Sequence, residues 1–235
     1  AVAGNHMIKE IDSINSFLDN AKKPNMAIVG GSKISTKIKL LNNLIEQFSS
    51  VVIGGAMANT FLLANNYNLG KSLVEKNLIQ EANNIQLKAK KLNCELILPI
   101  DVVCGKNIHD TNPVHRKINE VLPEEMVLDI GYESTQFINN KIINSKMILW
   151  NGPVGAFEFK PYDKATNVIA NVIKINAKKL NINTLAGGGD TVSAIKNSHT
   201  EDGFNYISNA GGAFLEWLEG NESPGVKSLK ENNLT

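Results

Sequence analysis

The residues in this sequence best suited to chemistry are lysines, one aspartate and clustered glycines in short turns. Gly30-Gly31-Ser32-Lys33-Ile34-Ser35-Thr36-Lys37 places two ammonium groups four positions apart, directly after a glycine pair. Ser35 fits a helix N-cap. Lys37 then falls in the first helical turn, where a cation opposes the macrodipole. An anion bound at that turn would remove the conflict, although two solvated lysines explain the same spacing without a ligand. Gly187-Gly188-Gly189-Asp190-Thr191 offers the complementary group, a carboxylate behind three glycines. Asp190 fits either an ordinary N-cap or a carboxylate beside a phosphate site, holding Mg²⁺ directly or through water.

A third segment, Trp150-Asn151-Gly152-Pro153-Val154-Gly155-Ala156-Phe157-Glu158, sets an amide, two glycines and a proline straight after an apolar run. By residue type Trp150 belongs in the core. Asn151 suits a turn, and on pattern alone Glu158 is a surface charge. Other chemistries lack their signatures. His6, His109, His115 and His199 show no metal-ligand spacing. No G-x-S-x-G elbow is present, and no G-x-G-x-x-G with a following acidic residue marks a dinucleotide site. Gly70-Lys71-Ser72 resembles the end of a Walker A loop, but Asn65 stands where the earlier glycine is required.

These groups need a scaffold, and the alternation of the chain supplies one. Short apolar runs at Met26–Val29, Val51–Ile53, Leu96–Ile100, Met147–Trp150, Thr184–Ala186 and Tyr206–Ile207 read as strands. Helical periodicity follows over 34–48, 57–66, 75–91, 134–144, 163–179, 190–197 and 211–219. Six strands alternating with helices predict an α/β fold: three layers, α/β/α, around a Rossmann-like, doubly wound sheet of six parallel strands. Glycines follow the strands at Gly30-Gly31, Gly54-Gly55, Gly152 with Gly155, Gly187-Gly188-Gly189 and Gly211-Gly212. In an open parallel sheet, ligands bind at the carboxyl ends of strands. Glycine there lets backbone N–H groups approach an anion beside a helix N-terminus. Five such turns predict a phosphate- or nucleotide-lined edge. Residues 104–126, with His109, Pro113 and Pro123, read as an irregular surface excursion. Met7, Ile8, Ile11, Ile14 and Leu18 form one helical stripe before Pro24. The stretch after Gly220 is polar and without periodicity.

Composition narrows the classes. With 235 residues, 43% of them hydrophobic, the chain can bury a core for one large domain. A net charge of +1, with Arg116 as the only arginine, argues against a nucleic-acid binder. Cys94 and Cys104 are too few for a disulfide framework and read as buried thiols in a reducing cytoplasm. No run approaches the roughly 18 apolar residues of a membrane span, and no signal-peptide pattern opens the chain. The start at Ala1 reads as that of a fragment.

Taken together, these segments resemble phosphoglycerate kinase. The resemblance runs through Ala27–Ile38, Ile53–Phe61, Gly70–Glu75, Leu98–Val103, Trp150–Glu158, Gly187–Thr191 and Gly211–Glu216, in the family's order and over nearly the whole chain. Four residues, at three places in the chain, depart from the family's usual pattern. Ser208-Asn209-Ala210-Gly211-Gly212-Ala213 stands where Ser-Thr-Gly-Gly-Gly-Ala is common. Tyr132 follows Asp129-Ile130-Gly131 where proline is usual, and Ala56 replaces a third glycine.

The resemblance implies a two-lobed, monomeric, cytoplasmic enzyme. It would transfer a phosphoryl group between 1,3-bisphosphoglycerate and ADP, giving 3-phosphoglycerate and Mg·ATP in glycolysis. Residues 1–22 would hold the interdomain helix, with the helix itself over 5–20. Residues 23–220 would be the nucleotide-binding domain and 221–235 a C-terminal tail. The lobe binding phosphoglycerate through an arginine-rich patch would lie outside this chain, leaving the chain inactive alone.

By matching positions, Lys37 would hold nucleotide phosphates and the transferring group, joined by Lys33 in the closed state. Asp190 would accompany Mg²⁺, Asn151 would lie near the phosphates, and Glu158 would bind the ribose hydroxyls. Gly30, Gly31, Gly54, Gly55 and Pro153 would shape the adenosine pocket. Thr191 and the backbone of Gly187, Gly188, Gly189, Gly211 and Gly212 would meet the phosphates and hinge. A free-standing adenine-nucleotide-binding module without catalysis is the alternative. A dehydrogenase is disfavoured by the absent dinucleotide fingerprint.

Overall fold

The computed structural model describes Phe17, residues 21–208 and residues 210–220. Six strands make one parallel sheet: β1 (Asn25–Val29), β2 (Ser50–Ile53), β3 (Glu95–Ile97), β7 (Met147–Asn151), β8 (Asn183–Gly187) and β9 (Tyr206–Ser208). Their spatial order is β3-β2-β1-β7-β8-β9. The chain therefore winds outward from β1 in one direction and from β7 in the other, and the reversal lies between these two central strands.

Period-two alternation decides which helices cover which face. Ala27, Val29, Val51, Ile53, Met147, Leu149 and Leu185 point to one side. There they meet α1 (Ile38–Gln47), α2 (Ala56–Ala64), α3 (Ile79–Lys91) and α7 (Gly212–Leu218). Met26, Ile28, Val52, Ile148, Trp150 and Ala186 point to the other. That face is covered by α4 (Tyr132–Asn144), α5 (Lys164–Leu180) and α6 (Gly189–Asn197). Both faces are dry, which explains why β1 and β7 are apolar almost without interruption. Each fully buried Ile, Leu or Met contributes roughly 1.5–3 kcal/mol. The three-layer α/β/α sheet read from the sequence is the one observed.

The sequence reading fails between residues 98 and 130. The apolar run Leu96–Ile100 is not one strand: β3 ends at Ile97, and Pro99, which has no N–H to give a ladder, precedes a change of sheet. Asp101–Gly105 (β4) is wholly buried and pairs antiparallel with Val114–Lys117 (β5) and Met126–Ile130 (β6). The stretch expected to be irregular is thus half of a small three-stranded sheet, ordered β5-β4-β6. Val102 and Cys104 pack with Leu62 and Leu69 of the main domain. Val103 and Leu128 pack on Tyr162. A carboxylate ties the small sheet to α4, because both oxygens of Asp101 accept backbone N–H groups from Glu133 and Ser134 at the start of that helix.

Cys94 and Cys104 are buried free thiols, and burial raises both, to about 11 and about 12. Tyr132, standing where a proline was expected, is the first residue of α4 and is exposed. The expected interdomain helix over 5–20 lies outside the described residues apart from Phe17, which is helical and buried in the α1–α2 core. Asn209 and the 221–235 tail also lie outside them. Among the described residues, no helix is long and apolar enough to cross a membrane.

Candidate functional site

The ends of β1 and β7 meet at the point of reversal, and glycine makes the meeting possible. The Gly30 N–H donates to the Asn151 carbonyl at 3.0 Å. A Cβ on Gly30 would lie 1.8 Å from the Pro153 carbonyl oxygen. Gly152 has φ of +100°, and a Cβ there would lie 2.2 Å from the Gly30 carbonyl oxygen. No residue with a side chain fits at either position.

Lys37 reaches over this junction. Its ammonium donates to the Gly30 carbonyl (2.6 Å), the Asn151 carbonyl (3.2 Å) and the Asn151 Oδ1 (2.7 Å). Burial pulls its pKa down to about 8, against an opposing pull from the charge of Asp190. The amide of Asn151 is used twice: its Nδ2 donates to the Gly187 carbonyl at 2.7 Å, joining β7 to β8. Thr191 makes a further tie, its buried Oγ1 accepting the Gly152 N–H at 2.6 Å. Lys37, Asn151, Gly30, Gly152, Gly187 and Thr191 therefore form one hydrogen-bonded group across three strand ends.

Two local expectations are corrected here. Ser35 does not cap α1; the helix begins at Ile38, with Lys37 itself at the capping position and no side-chain cap. Ser35 has a carboxylate partner from elsewhere in the chain. Asp190 is not an N-cap either. Gly188 holds that position, and Asp190 sits exposed in the first turn of α6. A carboxylate there is favourable to the helix and remains open to solvent.

Beside this group lies a cleft of about 350 Å³. Gly31, Gly55, Pro153, Glu158 and Asp190 are among the residues lining it. Gly54 lies behind the lining, packed on Val154. The far wall comes from the small sheet, through Met126, Val127, Leu128 and Asp129, and from Ile108 in the β4–β5 loop. The sequence reading missed this wall. The one available signal was the apolar Met126-Val127-Leu128 triplet, which follows Pro123 and two glutamates. Under the cleft, Asp129 accepts N–H groups from Ile130 and Ala165, and burial raises its carboxyl to about 8.

The other candidates are spread along the same edge. Lys33 is exposed on the loop before α1. Gly187 lies beneath Phe214, where a Cβ would come within 2.5 Å of the ring. Gly189 opens α6 with nothing within 4 Å of an added Cβ. Gly211 and Gly212 lead into α7 beyond the edge strand β9, equally open. Among the described residues, no group of three or more His, Cys, Asp or Glu side chains could hold a metal ion alone. Mg²⁺ does not need such a group, since it commonly binds through one or two carboxylates, waters and substrate phosphates. The exposed carboxylate of Asp190 fits that requirement. Glu158 lines the same cleft and is exposed.

Comparison with known proteins agrees with this architecture. A sequence model for phosphoglycerate kinase matches residues 1–221. The phosphoglycerate kinase of Xanthobacter flavus is 43% identical over 232 residues, covering 98% of this chain and 58% of that protein. That of Brucella abortus is 44% identical over 233 residues, covering 98% of this chain and 59% of the relative. The solved structure of phosphoglycerate kinase from Coxiella burnetii superimposes with a TM-score of 0.92 at 36% identity, over 98% of this chain and 58% of that one. The enzyme from Pyrococcus horikoshii, at 23% identity and a TM-score of 0.77, shares the fold. The chain thus spans a little over half the length of the relatives it matches. On the family match and these relatives, the chain belongs to the phosphoglycerate kinase family.

Proposed function

We propose that this chain is the nucleotide-carrying lobe of a phosphoglycerate kinase, working in the cytoplasm as part of a monomeric enzyme. The complete enzyme would exchange a phosphoryl group between 1,3-bisphosphoglycerate and ADP, with 3-phosphoglycerate and ATP as products, as a step of glycolysis. The observation that carries the reading is the placement of Lys37. Its ammonium lies over the reversal point of the sheet, close enough to Asp190 to feel its charge, at the edge of a cleft large enough for a nucleoside.

Phosphoryl transfer needs in-line positioning and cancellation of the negative charge on the moving group, with little covalent chemistry from the protein. The acceptor is already an anion, so no general base is required. In this reading the adenosine lies in the cleft between Gly31, Gly55 and Pro153 and the small-sheet wall, with Gly30 and Gly54 shaping the turns behind. Glu158 accepts the ribose hydroxyls. Lys37 moves from the Asn151 and Gly30 oxygens to the phosphates, and Asn151 lies near them. Lys33, on an exposed loop, reaches the transferring group when the lobes close. The backbone of Gly188, Gly189, Gly211 and Gly212, with Thr191 behind it, lines the phosphate side. Mg²⁺, held through Asp190 and the phosphates, would supply further charge cancellation.

Among the described residues, no arginine is free to seat the acidic co-substrate. Arg116, the sole arginine, is spent on Glu125, to which its Nη2 donates at 2.7 Å and its Nε at 3.1 Å. The isolated chain is therefore expected to bind ADP without turning over. A coupled assay with 1,3-bisphosphoglycerate and ADP should show ATP formation at background. Sustained ATP production by this chain alone would contradict the assignment of lobes. Nucleotide binding that persists while the rest of a family-length protein adds no activity would favour the non-catalytic module.

A further inference from the structure

The loop that carries Lys33 and leads into Lys37 is held by a residue with no role assigned above. Glu75 lies 40 positions further along the chain, yet its carboxylate takes both donors of Ser35. Oε1 accepts the hydroxyl at 2.5 Å and Oε2 accepts the backbone N–H at 3.1 Å. Such charge-assisted bonds are the stronger kind. The acid stands at the N-cap position of the 3₁₀ turn Lys76–Leu78 but makes no cap bond there; its side chain is turned to the Ser35 loop instead.

Glu75 is itself anchored. Its backbone N–H donates at 3.1 Å to the Oγ1 of Thr60, which is buried in α2. The same helix grips the other end of the loop, where the Met57 N–H donates to the Gly31 carbonyl at 3.0 Å. Between these grips the Thr36 hydroxyl donates to the Lys33 carbonyl at 2.9 Å. The loop is thus strung between two points of α2, with Glu75 as the outer one. Burial alone would raise this carboxyl. The hydrogen bonds from Ser35 and Ile34 and the nearby charge of Lys33 outweigh that and hold it below the usual carboxylate range.

We infer that Glu75 is a positioning residue for phosphate recognition: by clamping Ser35, it fixes the backbone from which Lys33 and Lys37 reach the nucleotide phosphates. The inference rests on the nucleotide reading given under the proposed function. It separates two parts of one ligand, because neither Glu75 nor Ser35 lines the adenosine cleft, and Gly31, which does, is held separately by Met57.

The test is titration of the 235-residue chain with Mg·ADP and, separately, with adenosine, for wild type, Glu75→Ala, Glu75→Gln and Ser35→Ala. Thermal melts establish that each variant is folded. Glu75→Ala should weaken Mg·ADP by about tenfold, the scale of losing charge-assisted hydrogen bonds, and leave adenosine within about twofold. Glu75→Gln, which keeps an oxygen for Ser35, should recover most of the loss. Ser35→Ala should weaken Mg·ADP severalfold and decides the matter if Glu75→Ala does not fold. Unchanged Mg·ADP affinity in folded Glu75→Ala, or equal losses for Mg·ADP and adenosine, would overturn the inference. If wild type itself binds no Mg·ADP, the nucleotide reading fails and takes this inference with it. If wild type binds and the variants match it, only the role of Glu75 fails.

Discussion

The side-chain amide of Asn151 accepts from the Lys37 ammonium at 2.7 Å and donates, through its other end, to the Gly187 carbonyl at 2.7 Å. One amide thus holds a half-buried cation on one side and a neighbouring strand end on the other. Lys37 and Asn151 are 114 residues apart, and only the parallel order of β1, β7 and β8 brings them together.

Asn151→Ala removes both bonds and leaves the Lys37 ammonium and the Gly187 carbonyl short of partners. Losing buried partners of this kind costs about 1–3 kcal/mol each, with the charged group toward the upper end. Urea denaturation should show the variant less stable by at least about 1 kcal/mol. Equal stability would mean that water replaces the amide at no loss.

The depressed pKa of Lys37 predicts a proton linked to binding. Its folded-state value of about 8 lies below the ordinary 10.5, because burial disfavours the charged form. The unfolded chain therefore keeps this proton to higher pH than the folded chain. The weakening of the fold by the buried charge is complete below about pH 8 and fades as pH rises toward 10.5. A phosphate near the ammonium pushes the other way and raises the pKa. Near pH 8.5, binding of ADP should take up protons, seen as a dependence of calorimetric heat on the ionisation enthalpy of the buffer. Near pH 6.5 the Lys37 contribution should vanish, because the ammonium is already protonated there, and Lys37→Met should abolish the uptake seen at pH 8.5. Affinity should fall as pH climbs through about 8.

Two glycines separate fold from binding. A methyl on Gly152 would lie 2.2 Å from the Gly30 carbonyl oxygen and 2.9 Å from the Lys37 Nζ, at a φ of +100°. Gly152→Ala should lose about 2 kcal/mol or more in stability. Gly189→Ala meets nothing within 4 Å and has no strained φ. It should melt within about 0.5 kcal/mol of wild type while weakening Mg·ADP, because the methyl would stand where the phosphates approach. Unaltered Mg·ADP binding by Gly189→Ala would remove the first turn of α6 from the proposed phosphate site.

How much of this was legible in the sequence follows from the range of each interaction. The parallel sheet was, because strand, glycine and helix succeed one another locally and the two-sided burial of β1 and β7 leaves unbroken apolar runs. Trp150 was placed in the core from its type, and it is fully buried with its Nε1 donating to the Gly152 carbonyl at 2.7 Å. The small sheet was hidden because Pro99 divides an apolar run between two sheets. Ser35 looked like a cap because its rival partner, Glu75, lies 40 residues away. Asp190 looked like a cap because glycines conceal where a helix begins: Gly188, with φ of +98°, takes the position instead. Glycine pairs showed where strand ends would open. Which strand ends meet was set by topology, and no local pattern carries that information.

The central claim is that nucleotide phosphates bind at the strand ends between Lys37 and Asp190, whose charge acts on the lysine. Calorimetric titration of this chain with Mg·ADP, repeated with Lys37→Ala and Asp190→Ala, tests it most directly. The account predicts saturable binding at one site, weakened by about tenfold or more in Lys37→Ala through the lost charge-assisted contact. In Asp190→Ala it predicts weaker binding together with a reduced dependence on Mg²⁺. Binding that is unchanged in both variants, with the chain folded, would contradict it.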